Sequence, residues 1–162
     1  MRILVLSHYF PPEGNAPASR IHELGKRWAR AGHAVTVITA APSVPDGVVY
    51  EGYRNEFARE VIDGIEVLRV WTYVAANKGT LRRSASFVSF MVTATLRALA
   101  AARPDVIVAT SPQFFCGWAG VLCKWLLRRP LVMGVGDLSA EPFVADGALL
   151  AVATLLPHDW RA

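Results

Sequence analysis

Apolar positions along this chain follow two alternating rhythms. Short β-rich runs stand at Ile3 to Leu6, Val35 to Thr39, Val106 to Ala109 and Leu131 to Val135. Between them lie longer stretches in which apolar residues return every three or four positions. The runs have the length of buried strands, and the longer stretches have helical periodicity. Ser19 to Ala31 is predicted as the first helix. Ile21, Leu24 and Trp28 form its apolar stripe, Glu23, Lys26, Arg27 and Arg30 its solvated face, and Gly32 its stop. Further helices are predicted over about Leu81 to Arg103, Phe114 to Leu127, and from the acidic loop Asp137 to Glu141 up to Leu156. Asp63-Gly64, between Glu60–Ile62 and Ile65–Trp71, is a strong hairpin signal. Strands alternating with helices predict an α/β fold with a parallel sheet flanked by helices.

The loop after the first run carries the most information. Ser7 to Asn15 reads SHYFPPEGN and leads into a helix headed by Arg20. In open α/β sheets, ligands bind outside the carboxyl ends of the strands, beside helix N-termini. The glycine fingerprint of a dinucleotide site is missing. One glycine stands here, and His8, Tyr9 and Phe10 fill the turn. Gly14 fits either a left-handed turn or a ligand contact. A long loop over Ala41 to Asn55 and a second over Thr72 to Leu81 supply other candidate ligand-facing segments.

Composition narrows the class. With 162 residues, 53% of them apolar and 19% charged, the chain can bury a real core and does not read as disordered. The net charge of +4 comes from dispersed basic residues with no nucleic-acid motif, so no nucleic-acid partner is expected. Cys116 and Cys123 are too sparse for a zinc site or a disulfide framework, which fits a reducing cytoplasmic setting. The greasy stretch from Ser84 to Ala102 is interrupted by Arg97 and reads as buried or interfacial rather than spanning.

Five segments together carry a resemblance: HYFPPEGNAPASR (His8 to Arg20), GHAVTVITAAPSVPDGVVYEGY (Gly32 to Tyr53), IDGIEVLRVWTYVAANKG (Ile62 to Gly79), PDVIVATSP (Pro104 to Pro112) and VGDLSAE (Val135 to Glu141). They resemble the N-terminal half of family-4 retaining glycosyltransferases of the GT-B fold, in the bacterial WbuB-like branch that builds cell-surface polysaccharides. The resemblance implies a Rossmann-like domain over 1–156, with 157–162 as a tail. This half holds the acceptor, and a second half, absent from this chain, holds most of the nucleotide-sugar. A fragment, a split enzyme and a remnant all fit that length. Implied partners are a nucleotide-sugar, a UDP-sugar first, a lipid-linked or saccharide acceptor, and a complementary donor-domain half. No cofactor and no metal are implied. The implied location is cytoplasmic, peripheral on the inner face of the membrane.

The resemblance also suggests roles. Asp137 would lie near the reacting sugar, holding a hydroxyl or offsetting charge; its other reading is a helix cap. Glu141 is the second acid of that loop. Relatives carry arginine where this chain has Gly136, and tryptophan and proline where it has Ser139 and Ala140. Gly14 and Asn15 would meet donor phosphates, Glu13 an acceptor hydroxyl, and Arg20 a phosphate unless it is a plain surface charge. Ser111 ends a strand beside the cleft, where an ordinary turn is the alternative. His8 is expected to be packed or hydrogen-bonded rather than a base. Lys78, Arg82 and Arg83, next to Phe87, Phe90 and Met91, suit a membrane interface or a snorkelling helix end. A non-catalytic binding or membrane-association domain is the competing reading.

Overall fold

The computed structural model describes residues 1–43, 46–74, 80–111 and 114–135. Strand β1 (Arg2–Leu6) leads through the SHYFPPEGN loop into helix α1 (Ala16–Arg30) and strand β2 (Ala34–Ala40). The hairpin β3 (Ala58–Ile62) and β4 (Ile65–Val70) follows. Helix α2 (Thr80–Ala100), strand β5 (Val106–Ser111), helix α3 (Phe114–Leu127) and strand β6 (Leu131–Val135) complete the described elements. The strands form one six-stranded sheet in the order β3-β4-β2-β1-β5-β6. All pairings are parallel except the β3–β4 hairpin. The sheet is therefore mixed at one edge, and its body is Rossmann-like. Asp63 (φ 50°) and Gly64 (φ 80°) are both left-handed, which is the backbone that a two-residue hairpin turn requires.

Two cores lie on opposite faces of the sheet. On one, Ile3, Val5, Phe10, Val35, Val37, Ile65 and Val67 pack under α1. On the other, Leu4, Leu6, Ile38, Leu68, Val70 and Ile107 pack under α2 and α3. Burial on both faces explains why the parallel strands read as apolar runs without alternation.

Helix α1 starts three residues before the predicted Ser19. Asn15 accepts from Ala18 N at 2.9 Å and caps the helix, with Pro17 in its first turn. Its predicted stripe also needs correcting, because Leu24 is exposed. The inward positions are Ala18, Ile21 and Gly25, with Trp28 partly buried. Gly25 lets α1 lie close on the sheet: a Cβ there would meet Ile65 Cδ1 at 2.8 Å. Gly32 (φ 83°) ends the helix as predicted. Strand β5 runs on through Thr110 and Ser111, past the predicted end at Ala109, because Thr110 and Ser111 pair with Gly134 and Val135 of β6. The predicted helix between Glu141 and Leu156 lies outside the described residues.

Candidate functional site at the carboxyl ends of β1 and β5

The chain moves from β1 outward to β2 through α1. It returns from β4 through α2 to β5, on the other side of β1. Helix α1 and the α2–α3 pair consequently cover opposite faces, and strand order reverses between β1 and β5. A crevice opens at the carboxyl ends of the strands at such a reversal. Leu6 pairs with Ala109, so Ser111 stands level with the start of the first loop. Thr110 Oγ1 donates to Leu6 O at 3.4 Å, and Cys116 Sγ donates to the same oxygen at 3.2 Å. These two bonds tie the ends of β1, β5 and α3 together.

The loop after β1 is held from several sides. Ser7 N–H donates to Ile38 O at 3.1 Å, and Thr39 Oγ1 donates to His8 O at 3.2 Å. Phe10 is wholly buried, edge-on to His22 with ring centres 5.5 Å apart. A cis peptide joins Pro11 and Pro12. Behind the loop sits Arg69, only 2% exposed, on β4. Its Nε meets Glu60 Oε1 at 2.6 Å. Its other nitrogens donate to Ala40 O at 3.0 Å and Pro11 O at 2.6 Å, and its guanidinium lies 4.7 Å from the centre of the Tyr53 ring. One cation thus joins the first loop, the end of β2, the edge hairpin and the long second loop. A buried charge is tolerable only when paired and hydrogen-bonded in this way.

The candidate residues named from sequence fall into three groups. Glu13, Gly14, Asn15 and Arg20 lie together on the first loop and α1. Glu13 is 5% exposed and accepts from Ser43 N–H at 2.9 Å, so it ties the two loops to each other. Asn15 commits its Oδ1 to the helix cap. Gly14 is exposed with nothing within 4 Å of where a Cβ would sit, and its φ is not left-handed, so the turn-glycine reading fails. Arg20 is exposed on α1. Ser111 stands at the end of β5, level with the start of the loop after β1. Arg82 and Arg83 are in the first turn of α2. Asp137, Glu141 and Lys78 lie outside the described residues.

His8 is packed. Its ring sits among Tyr9, Phe87 and Phe90, with centres 4.9, 5.0 and 4.9 Å away, and among the described residues neither ring nitrogen has a hydrogen-bond partner. Burial lowers its pKa to about 4, so the ring is neutral near pH 7. Burial likewise raises the Cys116 thiol, and that of Cys123 to about 11, so neither is a nucleophile.

Sequence reading missed Arg69, Glu60, Ser43 and Tyr53. The available signal was an arginine in an otherwise apolar phase, Ile65-x-Val67-x-Arg69, on the face that α1 covers. Such a residue needs a partner, and Glu60 lies diagonally across the hairpin, because Ala58 pairs with Arg69.

A strand-order reversal with a fixed loop and a helix N-terminus at the carboxyl ends of its strands is shared by many α/β proteins, and comparison with known proteins narrows the choice. Over 149 residues the chain is 32% identical to WcaI of Escherichia coli (strain K12), a protein assigned to colanic acid biosynthesis as a glycosyl transferase. The match takes in 91% of this chain and 37% of that protein's length. Residues 15–158 match the model of the glycosyl transferase 4-like domain. With nearly its whole length matched, and with the mostly parallel sheet described above, this chain belongs to the glycosyl transferase 4-like family.

Proposed function

We propose that this chain is the acceptor-side half of a retaining glycosyltransferase. The enzyme would move a sugar from a nucleotide-sugar, a UDP-sugar first, to a lipid-linked or saccharide acceptor in cell-surface polysaccharide synthesis. The observation that carries this reading is the SHYFPPEGN loop, clamped from behind while Gly14 is left open at the helix N-terminus. Sugar transfer needs a positioned acceptor and a stabilised leaving diphosphate. Pro17 has no N–H, and the Ala18 N–H is taken by Asn15 Oδ1. An anion here would accordingly meet the amides of Gly14, Asn15 and Ala16, at the positive end of the α1 dipole. No acid stands in the first turn of α1 to repel it. Asp137, which follows β6 in the chain, is the proposed group beside the reacting sugar, with Glu141 as the second acid of that segment.

The chain alone is proposed to be inactive, because the larger share of the donor contacts belongs to a second half. Two measurements test this. Titrating UDP into the 15N-labelled chain should shift the amides of Gly14, Asn15 and Ala16, with a constant of about 1 mM or weaker. Transfer from a UDP-sugar should appear only when a donor half from a relative is added, and should fall with Asp137→Ala. Robust transfer by the isolated chain would overturn the division of labour. Micromolar UDP binding away from the α1 N-terminus would overturn the site.

A further inference from the structure

Two aromatic rings just beyond β4 are exposed yet fixed. Trp71 is 44% exposed and Tyr73 43%, while Thr72 between them is 2% exposed. The alternation of the strand thus runs on past Val70 and sets both rings on one side. The backbone there is pinned twice. Asn55 Oδ1 accepts from Thr72 N–H at 3.0 Å, and Asn55 Nδ2 donates to Thr72 O at 2.6 Å. Tyr73 N–H donates to Ser89 Oγ of α2 at 2.8 Å. A lone exposed ring needs no explanation, whereas two rings side by side on a pinned backbone form a preorganised surface.

The border of that surface is polar. Ala58 pairs with Arg69 in the β3–β4 register, and the same count sets Asn55 opposite Thr72, where its side chain completes the ladder. It also sets Glu56 opposite Trp71 and Arg54 opposite Tyr73, and both charged residues are exposed. Among the described residues neither forms an ion pair. Flat aromatic faces beside a carboxylate and a guanidinium suit a pyranose ring. Its apolar C–H face is attracted to the negative face of an aromatic ring, and its neighbouring hydroxyls can be bonded two at a time by planar charged groups. An anionic lipid surface fits less well, because Glu56 would meet its phosphates.

Position decides which ring of a substrate would stack here. Trp71 lies two residues beyond Arg69, whose guanidinium holds Pro11 O at 2.6 Å, so the pair stands beside the SHYFPPEGN loop on the face that carries α1. From β1 across β2 to β4 is two strand spacings, about 10 Å, roughly the reach of a disaccharide. On the sugar-transfer reading, on which this step rests, the reacting hydroxyl belongs at the β1–β5 reversal. We infer that Trp71 and Tyr73 form a stacking subsite for the second pyranose ring of the acceptor, bordered by Glu56 and Arg54. The acceptor is accordingly a molecule that already bears an oligosaccharide, and not a bare lipid phosphate or a monosaccharide.

The test follows the indole N–H signals of the 15N-labelled full chain while cellobiose, lactose or N,N′-diacetylchitobiose is added, with Trp71→Phe assigning the Trp71 signal. The disaccharides should shift Trp71 and leave Trp118 and Trp125 in place, with a constant of about 1–10 mM. Glycerol, which has hydroxyls but no ring, should shift none of them. Trp71→Leu keeps an apolar side chain without an aromatic face and should weaken binding about ten-fold, while Trp71→Phe should stay within about three-fold. Asn55 and Ser89 hold backbone and not the rings, so both variants keep the pins, and far-UV circular dichroism checks their folding. With a donor half added, Trp71→Leu should raise the KM of an oligosaccharide acceptor about ten-fold at unchanged kcat, because the stacking is the same in ground and transition states. Saccharide binding at Trp71 without any transfer would uphold the subsite and sink the sugar-transfer reading alone. Three results would overturn the subsite. The first is that none of the disaccharides moves Trp71, or that Trp71→Leu binds them as the parent does. The second is that phosphatidylglycerol vesicles broaden the Trp71 signal while sugars leave it untouched, which would make the pair a lipid contact. The third is transfer whose acceptor KM ignores Trp71→Leu, which would leave the sugar-transfer reading standing without this subsite.

Discussion

Replacing Arg69 by methionine keeps much of the side-chain volume and removes the charge that holds four segments together. The loss can be worked from its contacts. Ala40 O and Pro11 O each lose a donor, at about 1–3 kcal/mol apiece where they stay dry. The Tyr53 contact adds ~1 kcal/mol. Glu60 keeps 32% side-chain exposure and can recover water, which limits the penalty on that side. Relief of the arginine's own desolvation offsets several kcal/mol. The net expectation is about 3 kcal/mol, the low end of the range for breaking a buried pair. That is a large part of the ~5–15 kcal/mol that holds an ordinary domain. At ~2–4 °C per kcal/mol, Tm should fall by about 6–12 °C. Urea unfolding followed by tryptophan fluorescence and by circular dichroism measures it, and coincident curves confirm two-state behaviour. Arg69→Lys keeps the charge but loses the fork, so it should fall between. Glu60→Gln should cost less than Arg69→Met, because Glu60 is partly solvated. An Arg69→Met variant within 1 kcal/mol of the parent would show that the loop stands without the clamp.

Four further outcomes are expected. His8 has a folded-state pKa near 4, below its ordinary value of about 6.5, so the unfolded chain binds the extra proton first. Its contribution is full above pH 6.5, is lost as pH falls toward 4, and amounts to about 3 kcal/mol; His8→Phe should flatten that part of the stability–pH curve. Both cysteines are buried with raised pKa values, so a disulfide reagent at pH 8 should label the native chain slowly and two thiols promptly in 6 M guanidinium. Gly120→Ala should destabilise by about 1–3 kcal/mol, measured by urea unfolding, because the new Cβ meets Ala109 Cβ at 2.8 Å on a strand that cannot yield. Gly117→Ala meets only the mobile end of Met133, and helix propensity should make it neutral or better.

Most of the sheet was legible because its strands are short apolar runs and its punctuation is strong. Asp63-Gly64 and Gly32 adopt the backbones that their residue types suggest. Helix α1 starts before Ser19 because Pro17, which lacks an N–H, fits a first turn that Asn15 caps. Leu24 was assigned to the core by periodicity alone. The close approach at Gly25 moved the buried line by one residue. At the site, the identity of the loop could be read, but its support could not. Glu13 looks like a ligand-binding acid until Ser43 is found bonded to it. Arg69 lies nearly sixty residues from Pro11 along the chain, and nothing local signals that contact.

The two edges of the sheet are guarded differently. The outer strand β3 carries Arg59 and Glu60 among its five residues, and Arg59 pairs with Glu66 at 2.7 Å. Charges on a short antiparallel edge discourage a foreign strand from adding there. At the other edge, β6 is Leu-Val-Met-Gly-Val, with no charge, and among the described residues no strand lies beyond it. A ribosome-bound or partly folded chain would thus offer strangers one sticky rim and one repellent one. Aggregates formed during expression should grow from Leu131–Val135, and a lysine at Met133, a half-open position, is where a gatekeeper charge would do most to raise soluble yield.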